Sequence, residues 1–195
     1  ERKFCFDRVA FPFREAMAQL LGVIKMDKGK KLDRAEKLTF MTPLLSSVKR
    51  SSFHMIYDTF VRECILPLLH AEAEAAGCDT RVSNEYYYQC FPCTRVVRPG
   101  EFSIGIHSDC NYGFHPGNIN FYLPLTSIWG TNSLVLESSP GVEDWHTLEL
   151  DYGEVQRFHG SVCGHFTPEN TTSATRVSLD FRVLPGCVYE SLHDQ

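Results

Sequence analysis

No apolar run in this chain approaches the roughly 20 residues that a membrane-spanning helix requires, and the N-terminus lacks the apolar stretch of a secretory signal. A membrane is not expected as a partner, and a cytoplasmic location is expected. Long runs of one charge are also missing: 19 Lys and Arg stand against 24 Asp and Glu, for a formal net charge of −5. Phosphate backbones need a concentrated basic face, so no nucleic-acid partner is expected. The nearest approach to one interleaves Lys25, Lys28, Lys30, Lys31, Arg34 and Lys37 with Asp27, Asp33 and Glu36, which is the pattern of a solvated face. A second CxxC is absent, so Cys90-Phe91-Pro92-Cys93 is not expected to bind zinc. There is no internal repeat, low-complexity tract or linker. Glu1 stands where a Met would open a chain, as expected of a processed product or a part of something longer.

What is present is enough for one core. At 195 residues, 43% of them apolar and 12% aromatic, the chain is expected to form a single domain over residues 1–195. Its eight cysteines exceed any need for staples in a chain of this size, and free thiols are expected. Asn170-Thr171-Thr172 matches a glycosylation sequon, but its place between His165 and Arg176 suits a structural role better.

The first 80 residues read as a helical support layer. Ala16, Met17, Leu20, Leu21 and Ile24 share one face of a helix near Phe13 to Ile24. Phe53, Ile56, Tyr57, Phe60, Val61, Cys64, Ile65, Leu68 and Leu69 share one face of another, capped by Ser51 or Ser52 and Gly77, with a kink or break expected at Pro67. From Arg81 the period becomes two. Strands are expected around Asn84–Cys90, Thr94–Arg98, Phe102–His107, Asn118–Leu125, Ser133–Glu137, His146–Leu150, Glu154–Phe158 and Arg176–Val183. Eight short strands behind two helices predict a mainly β fold over 81–186, a double-stranded β-helix (jelly roll, cupin-like) buttressed by α-helices.

His107-Ser108-Asp109 places an imidazole and a carboxylate two residues apart at a strand end, on one face, where both can reach one ion. An HxD alone is common by chance. Two further histidines, His159 and His165, precede Arg176 and Ser178, and two His with one carboxylate make the facial set of non-haem Fe(II) oxygenases.

With these residues the chain resembles the 2-oxoglutarate- and Fe(II)-dependent dioxygenases, especially the phytanoyl-CoA-hydroxylase-like group and the oxygenases of streptomycin-type antibiotic biosynthesis. The resemblance runs from Phe102 to Arg182 through Asn118-Ile119-Asn120-Phe121-Tyr122-Leu123-Pro124, Gly130-Thr131-Asn132-Ser133 and Glu137-Ser138-Ser139-Pro140-Gly141. It implies His107, Asp109 and His165 as metal ligands, His165 rather than His159 because it lies eleven residues before Arg176. It also implies the cofactors Fe(II), 2-oxoglutarate and O2. Arg176 would hold the far carboxylate of 2-oxoglutarate through its planar fork, with Ser178 donating beside it. Asn120 and Tyr88, or Tyr86, are further expected contacts. An intact Asp109 favours hydroxylation over chlorination, because halogenating members carry a small residue there. The substrate expected by analogy is a small polar metabolite, with Glu143, Asp144 and Asp151 near the mouth to meet a positive charge.

Other readings of the residues stand beside this one. Arg182 suits a salt bridge at the strand end. His115 and His146 suit surface positions, Trp129 sheet packing and Trp145 a pocket rim. A cupin-like metalloenzyme that does not use 2-oxoglutarate, or a non-catalytic jelly-roll binding module, is the alternative function.

Overall fold

The computed structural model describes residues 1–29, 31–33, 35–37, 39–40, 52–77 and 85–188. Lys30, Arg34, Ser51, Arg81 and Asn84, named above, lie outside the described residues. The fold is mainly β, with two antiparallel sheets and helices on one side.

Helix α1 (Phe13–Leu21) buries Phe13, Ala16, Met17 and Leu21. It stops three residues short of expectation because Gly22 takes the left-handed conformation, φ 65°, and the Gly22 and Val23 N–H groups close back on Gln19 and Ala18. Ile24 is therefore cast out of the helix, 98% exposed. Helix α2 (Ser52–Phe60) continues through a single π turn, Val61–Ile65, into α3 (Leu66–Ala75). The expected break at Pro67 takes this form. Proline offers no N–H and its ring crowds the carbonyl four residues back, and just before it the Leu66 N–H reaches the Val61 carbonyl, five residues back. Phe53, Tyr57, Phe60, Val61, Ile65 and Leu69 form the buried stripe.

The larger sheet runs β1 (Arg2–Cys5), β7 (Glu154–Phe158), β4 (Ile119–Pro124), β9 (Arg176–Pro185), β2 (Tyr86–Tyr88), and β3 (Cys93–Val97) also pairs with β9. The smaller sheet is β6 (His146–Thr147), β5 (Val135–Leu136), β8 (His165–Phe166). The ten-residue β9 organises the larger sheet: β4 lies along one side, while β3 takes Arg176 to Asp180 and β2 takes Val183 to Pro185 on the other. Two strands escape the sequence pattern, β1 and the two-residue β8. One expected strand is missing. Phe102 to Ile106 joins no ladder, and only His107 pairs, by a bridge to His165.

Alternation along β9 divides the interior in two. Val177, Leu179, Phe181 and Val183 face the helices and pack with Phe121, Leu123, Phe13, Phe53, Tyr57 and Phe60. The other face is polar. In register it carries Arg176, Ser178, Asp180 and Arg182 on β9, Arg95 opposite Ser178 on β3, and Tyr122 and Asn120 opposite Asp180 and Arg182 on β4. Leu134, Leu136, Leu148 and Leu150 with Ile128, Phe158 and Tyr122 fill the rest of the space toward the small sheet. No helix among the described residues is long and apolar enough to cross a membrane.

Candidate metal centre and co-substrate pocket

His107 and His165 are directly paired residues, each donating its backbone N–H to the other's carbonyl at 3.1 and 2.9 Å. Their rings tilt together with centroids 4.3 Å apart. Each Nδ1 is tied to the carbonyl two residues earlier, His107 to Gly105 at 2.8 Å and His165 to Cys163 at 3.1 Å. A carbonyl only accepts, so Nδ1 carries a proton and Nε2 is the nitrogen left to face a metal. Gly105 thus contributes its carbonyl. Its missing side chain clears no space for a metal, since an added Cβ would meet only the Phe102 ring edge at 4.0 Å.

Asp109 comes to the same point from a 3-10 turn, Asp109–Tyr112, whose start is fixed by the Ser108 N–H donating to the Asn111 side chain. Its Oδ1 lies 3.9 Å from His107 Nε2 and 3.8 Å from His165 Nε2. The three ligand atoms all lie within 4.8 Å of one another. Two neutral imidazole nitrogens and a carboxylate oxygen, with no bond among themselves, are a donor set that fits a divalent iron.

The carboxylate of Asp109 is 1% exposed and held on three sides. Arg182 Nε and Asn120 Nδ2 both donate to Oδ2 at 2.6 Å, and a terminal nitrogen of Arg182 donates to Oδ1 at 2.7 Å. Burial opposes ionisation of Asp109, but these hydrogen bonds and the guanidinium charge outweigh it and hold the carboxyl below its ordinary range. Burial and the neighbouring His107 keep His165 below the usual imidazole range, in the neutral form a metal needs. Gly160 makes the packing possible: its carbonyl accepts the Asp109 N–H, and a Cβ there would sit 2.9 Å from Asn120 Nδ2 and 2.6 Å from Phe158. Glu137, also buried, accepts the Gly164 and Glu143 N–H groups and so pins the loop that delivers His165.

A cavity beside the triad is walled by His107, His165, Asn120, Tyr122, Arg176 and Arg182, with Arg95, Asp180 and Thr167. Arg176 is 1% exposed and donates to the Asn132 and Ser133 carbonyls at 3.3 and 3.2 Å. Its Nε has no partner, and neither does Ser178 Oγ or Tyr122 Oη, all three buried. Polar atoms left unpaired in a core each cost about 1–3 kcal/mol, and with Arg176 and Tyr122 lining the cavity and Ser178 on the same face of β9 they mark a place for a polar guest. Donors of this kind fit a carboxylate.

The structure thus brings together His107, Asp109, His165, Arg176, Ser178 and Asn120. Tyr88 is not with them. It pairs with Val183 on the helix-facing side, and its hydroxyl donates to Asp58 at 2.6 Å, which with burial pushes that hydroxyl up to about 12. Arg182 is no strand-end salt bridge but the principal partner of Asp109. Tyr122 and Arg95 were not foreseen as pocket residues. His159 lies against Arg157 at 3.4 Å, outside the cavity. Asp144 and Asp151 accept from Ser138 and Ser127, and neither they nor Glu143 line the cavity. Cys90 and Cys93 are free thiols, and Asn170 is fully buried, its amide closing the loop on Val97 and Ala174.

No protein-family model matches the chain. It is 35% identical over 105 residues to the streptomycin biosynthesis protein StrG of Streptomyces griseus, a match spanning 53% of this chain and 49% of that protein. The chain therefore spans about half the length of the curated relative it matches. Among solved structures, the apo form of ThoJ, described as a non-heme monooxygenase, aligns over 93% of this chain and 73% of its own with TM-score 0.51 and 14% identity. AviO1 from Streptomyces viridochromogenes Tue57 aligns over 92% and 86% with TM-score 0.45 and 13% identity. The chain is thus similar over about half its length to a streptomycin-biosynthesis protein, and over most of its length in fold to a non-heme monooxygenase.

Proposed function

We propose that the chain is an Fe(II)- and 2-oxoglutarate-dependent dioxygenase that hydroxylates an unactivated C–H bond of a small polar metabolite. The reaction consumes 2-oxoglutarate, O2 and the substrate R–H and yields succinate, CO2 and R–OH, which balances with one oxygen atom in each of succinate and product. The observation that carries the reading is that two residues with unpartnered buried donors, Arg176 through Nε and Tyr122 through Oη, line a cavity that His107 and His165 also line, with a third such donor, Ser178 Oγ, on the same face of β9. A cupin-like enzyme without 2-oxoglutarate leaves those donors unexplained.

Iron, when bound, supplies the reduction of O2 and the oxidising power for the C–H bond. The protein's own residues do the rest. His107 and His165 present Nε2 because their Nδ1 protons are held by backbone carbonyls. Arg182 and Asn120 keep Asp109 ionised and aimed. Arg176, anchored on two carbonyls, offers a fixed guanidinium to the far carboxylate of the co-substrate, with Ser178 beside it. Leu134 and Phe158 make the cavity's apolar wall.

The test is anaerobic addition of Fe(II) and then 2-oxoglutarate, read by the weak visible charge-transfer band of a chelated 2-oxo acid. The band is expected in the wild type, lost in His165→Ala, and in Arg176→Gln obtained only at about 10- to 100-fold more 2-oxoglutarate, the value of a lost charge-assisted pair. Iron that binds without the band overturns the assignment in favour of the cupin-like alternative.

A further inference from the structure

The polar face of the larger sheet carries more positive charge than the proposed reaction uses. Three guanidiniums, Arg95, Arg176 and Arg182, line the cavity, against two carboxylates, Asp109 and Asp180. An Fe(II) dication and a 2-oxoglutarate dianion cancel each other, so the loaded pocket keeps one positive charge in excess. Two of the three guanidiniums are committed. Arg182 is spent on Asp109, and Arg176, one terminal nitrogen of which is fixed on the Asn132 and Ser133 carbonyls, is assigned to the co-substrate.

Arg95 differs. Its Nε donates to Asp180 Oδ2 at 3.0 Å, which orients the side chain, and its two terminal nitrogens hold no hydrogen bond among the described residues. The side chain is 29% exposed. It projects from β3 directly opposite Ser178, toward the cavity that the triad lines. Arg95 also lines a second cavity at the edge of β3, together with Ser103, Lys37 and Arg98. A positive track therefore leads from the sheet edge to the triad, with Glu101 engaged by Lys37 and Arg98 and Asp180 engaged by Arg95 along it. A buried or half-buried guanidinium with a free fork is suited to a carboxylate or phosphate.

We propose that the substrate carries an anionic group, a carboxylate or a phosphate, and that the free fork of Arg95 anchors it, so that a neighbouring C–H faces the triad. This rests on the dioxygenase reading and names the substrate class for it. It reverses the charge expected from Glu143, Asp144 and Asp151, which lie away from the cavity. Asp180 acts as the positioning residue that keeps Arg95 extended into the pocket.

The experiment loads the protein anaerobically with Fe(II) and 2-oxoglutarate and titrates it with methyl phosphate and, separately, with acetate at constant ionic strength. Calorimetry and the visible charge-transfer band are read together. Saturable binding of one of the two anions, one per protein, is expected, and which one binds identifies phosphate or carboxylate as the source. Arg95→Gln is expected to weaken that binding roughly tenfold or more while the 2-oxoglutarate affinity stays within about twofold, and Arg176→Gln to do the opposite. Arg95→Lys, which keeps the charge and loses the fork, is expected to fall between and guards against a folding defect in the glutamine variant. No saturable anion binding in the wild type overturns the proposal. So does an Arg95→Gln protein that loses 2-oxoglutarate as Arg176→Gln does, since Arg95 would then serve the co-substrate. A charge-transfer band that never forms, with anion binding still dependent on Arg95, overturns the dioxygenase reading and leaves the anion site standing.

Discussion

Arg182 grips both oxygens of Asp109, with Nε on Oδ2 and a terminal nitrogen on Oδ1, while its guanidinium lies 4.3 Å above the Phe114 ring. The two residues are 73 apart in the chain. The carboxylate of the triad is thus oriented from β9, the strand that also carries Arg176 and Ser178. Removing the guanidinium in Arg182→Ala leaves a buried carboxylate with Asn120 alone. The expected loss is about 3–5 kcal/mol of stability in the metal-free protein and about 10- to 100-fold in Fe(II) affinity. Thermal melting and metal titration check both, and equal Fe(II) affinity in the variant would remove Arg182 from the metal site.

Tyr122 gives the opposite sign for stability. Its buried hydroxyl has no partner, so Tyr122→Phe is expected to melt at the same temperature as the wild type or slightly above it. The same change is expected to weaken 2-oxoglutarate binding about tenfold. A variant that is destabilised and binds 2-oxoglutarate normally would place the hydroxyl in the packing and out of the co-substrate site.

Gly160 tests close approach. In Gly160→Ala the new Cβ collides with Phe158 and with the Asn120 amide that holds Asp109. Overpacking of this kind costs about 1–3 kcal/mol, and metal affinity is expected to fall with it. If melting drops while Fe(II) binding is unchanged, Asn120 has kept its bond and Phe158 alone has moved.

Glu101 sets an acid limit on the fold. Burial opposes its ionisation, but the Arg98 and Leu32 N–H groups and Lys37 outweigh burial and hold its carboxyl below the ordinary glutamate range. A depressed folded value means that its stabilisation is complete above the unfolded value, near 4.3, and is lost as pH falls through the folded one. Glu101→Gln is expected to lower stability at neutral pH by about 1–3 kcal/mol and to flatten the fall below pH 4. Melting curves across that range decide it, and parallel curves for the two proteins would count against the assignment.

The cluster of His107, Asp109 and His165 was legible because its chemistry is local. The spacing of His107 and Asp109, and the alternation of Arg176 and Ser178 on one strand, survive any choice of neighbours. What was not legible depends on pairing. Alternation shows that Tyr86 and Tyr88 share a face but not which face, and β2 turns Tyr88 toward Asp58 and the helices. Tyr122 lies two residues after Asn120, so alternation puts both on one face, and the register with Asp180 shows that this face meets the pocket. Arg182 and Asp109 meet only when β9 is in place. Phe102 to Ile106 carries a strand's period with no ladder to join, and β8 is too short to leave a period at all.

Each imidazole of the triad takes its orientation from a carbonyl two residues earlier in its own segment, and the two segments are stitched to each other at the two histidines. The lone pairs that would meet iron are therefore set by backbone geometry before any ion arrives. Loss and return of the metal then become an exchange of ligands at a standing frame rather than a refolding event. A metal-free preparation stripped by a chelator should accordingly recharge as fast as the cation reaches it.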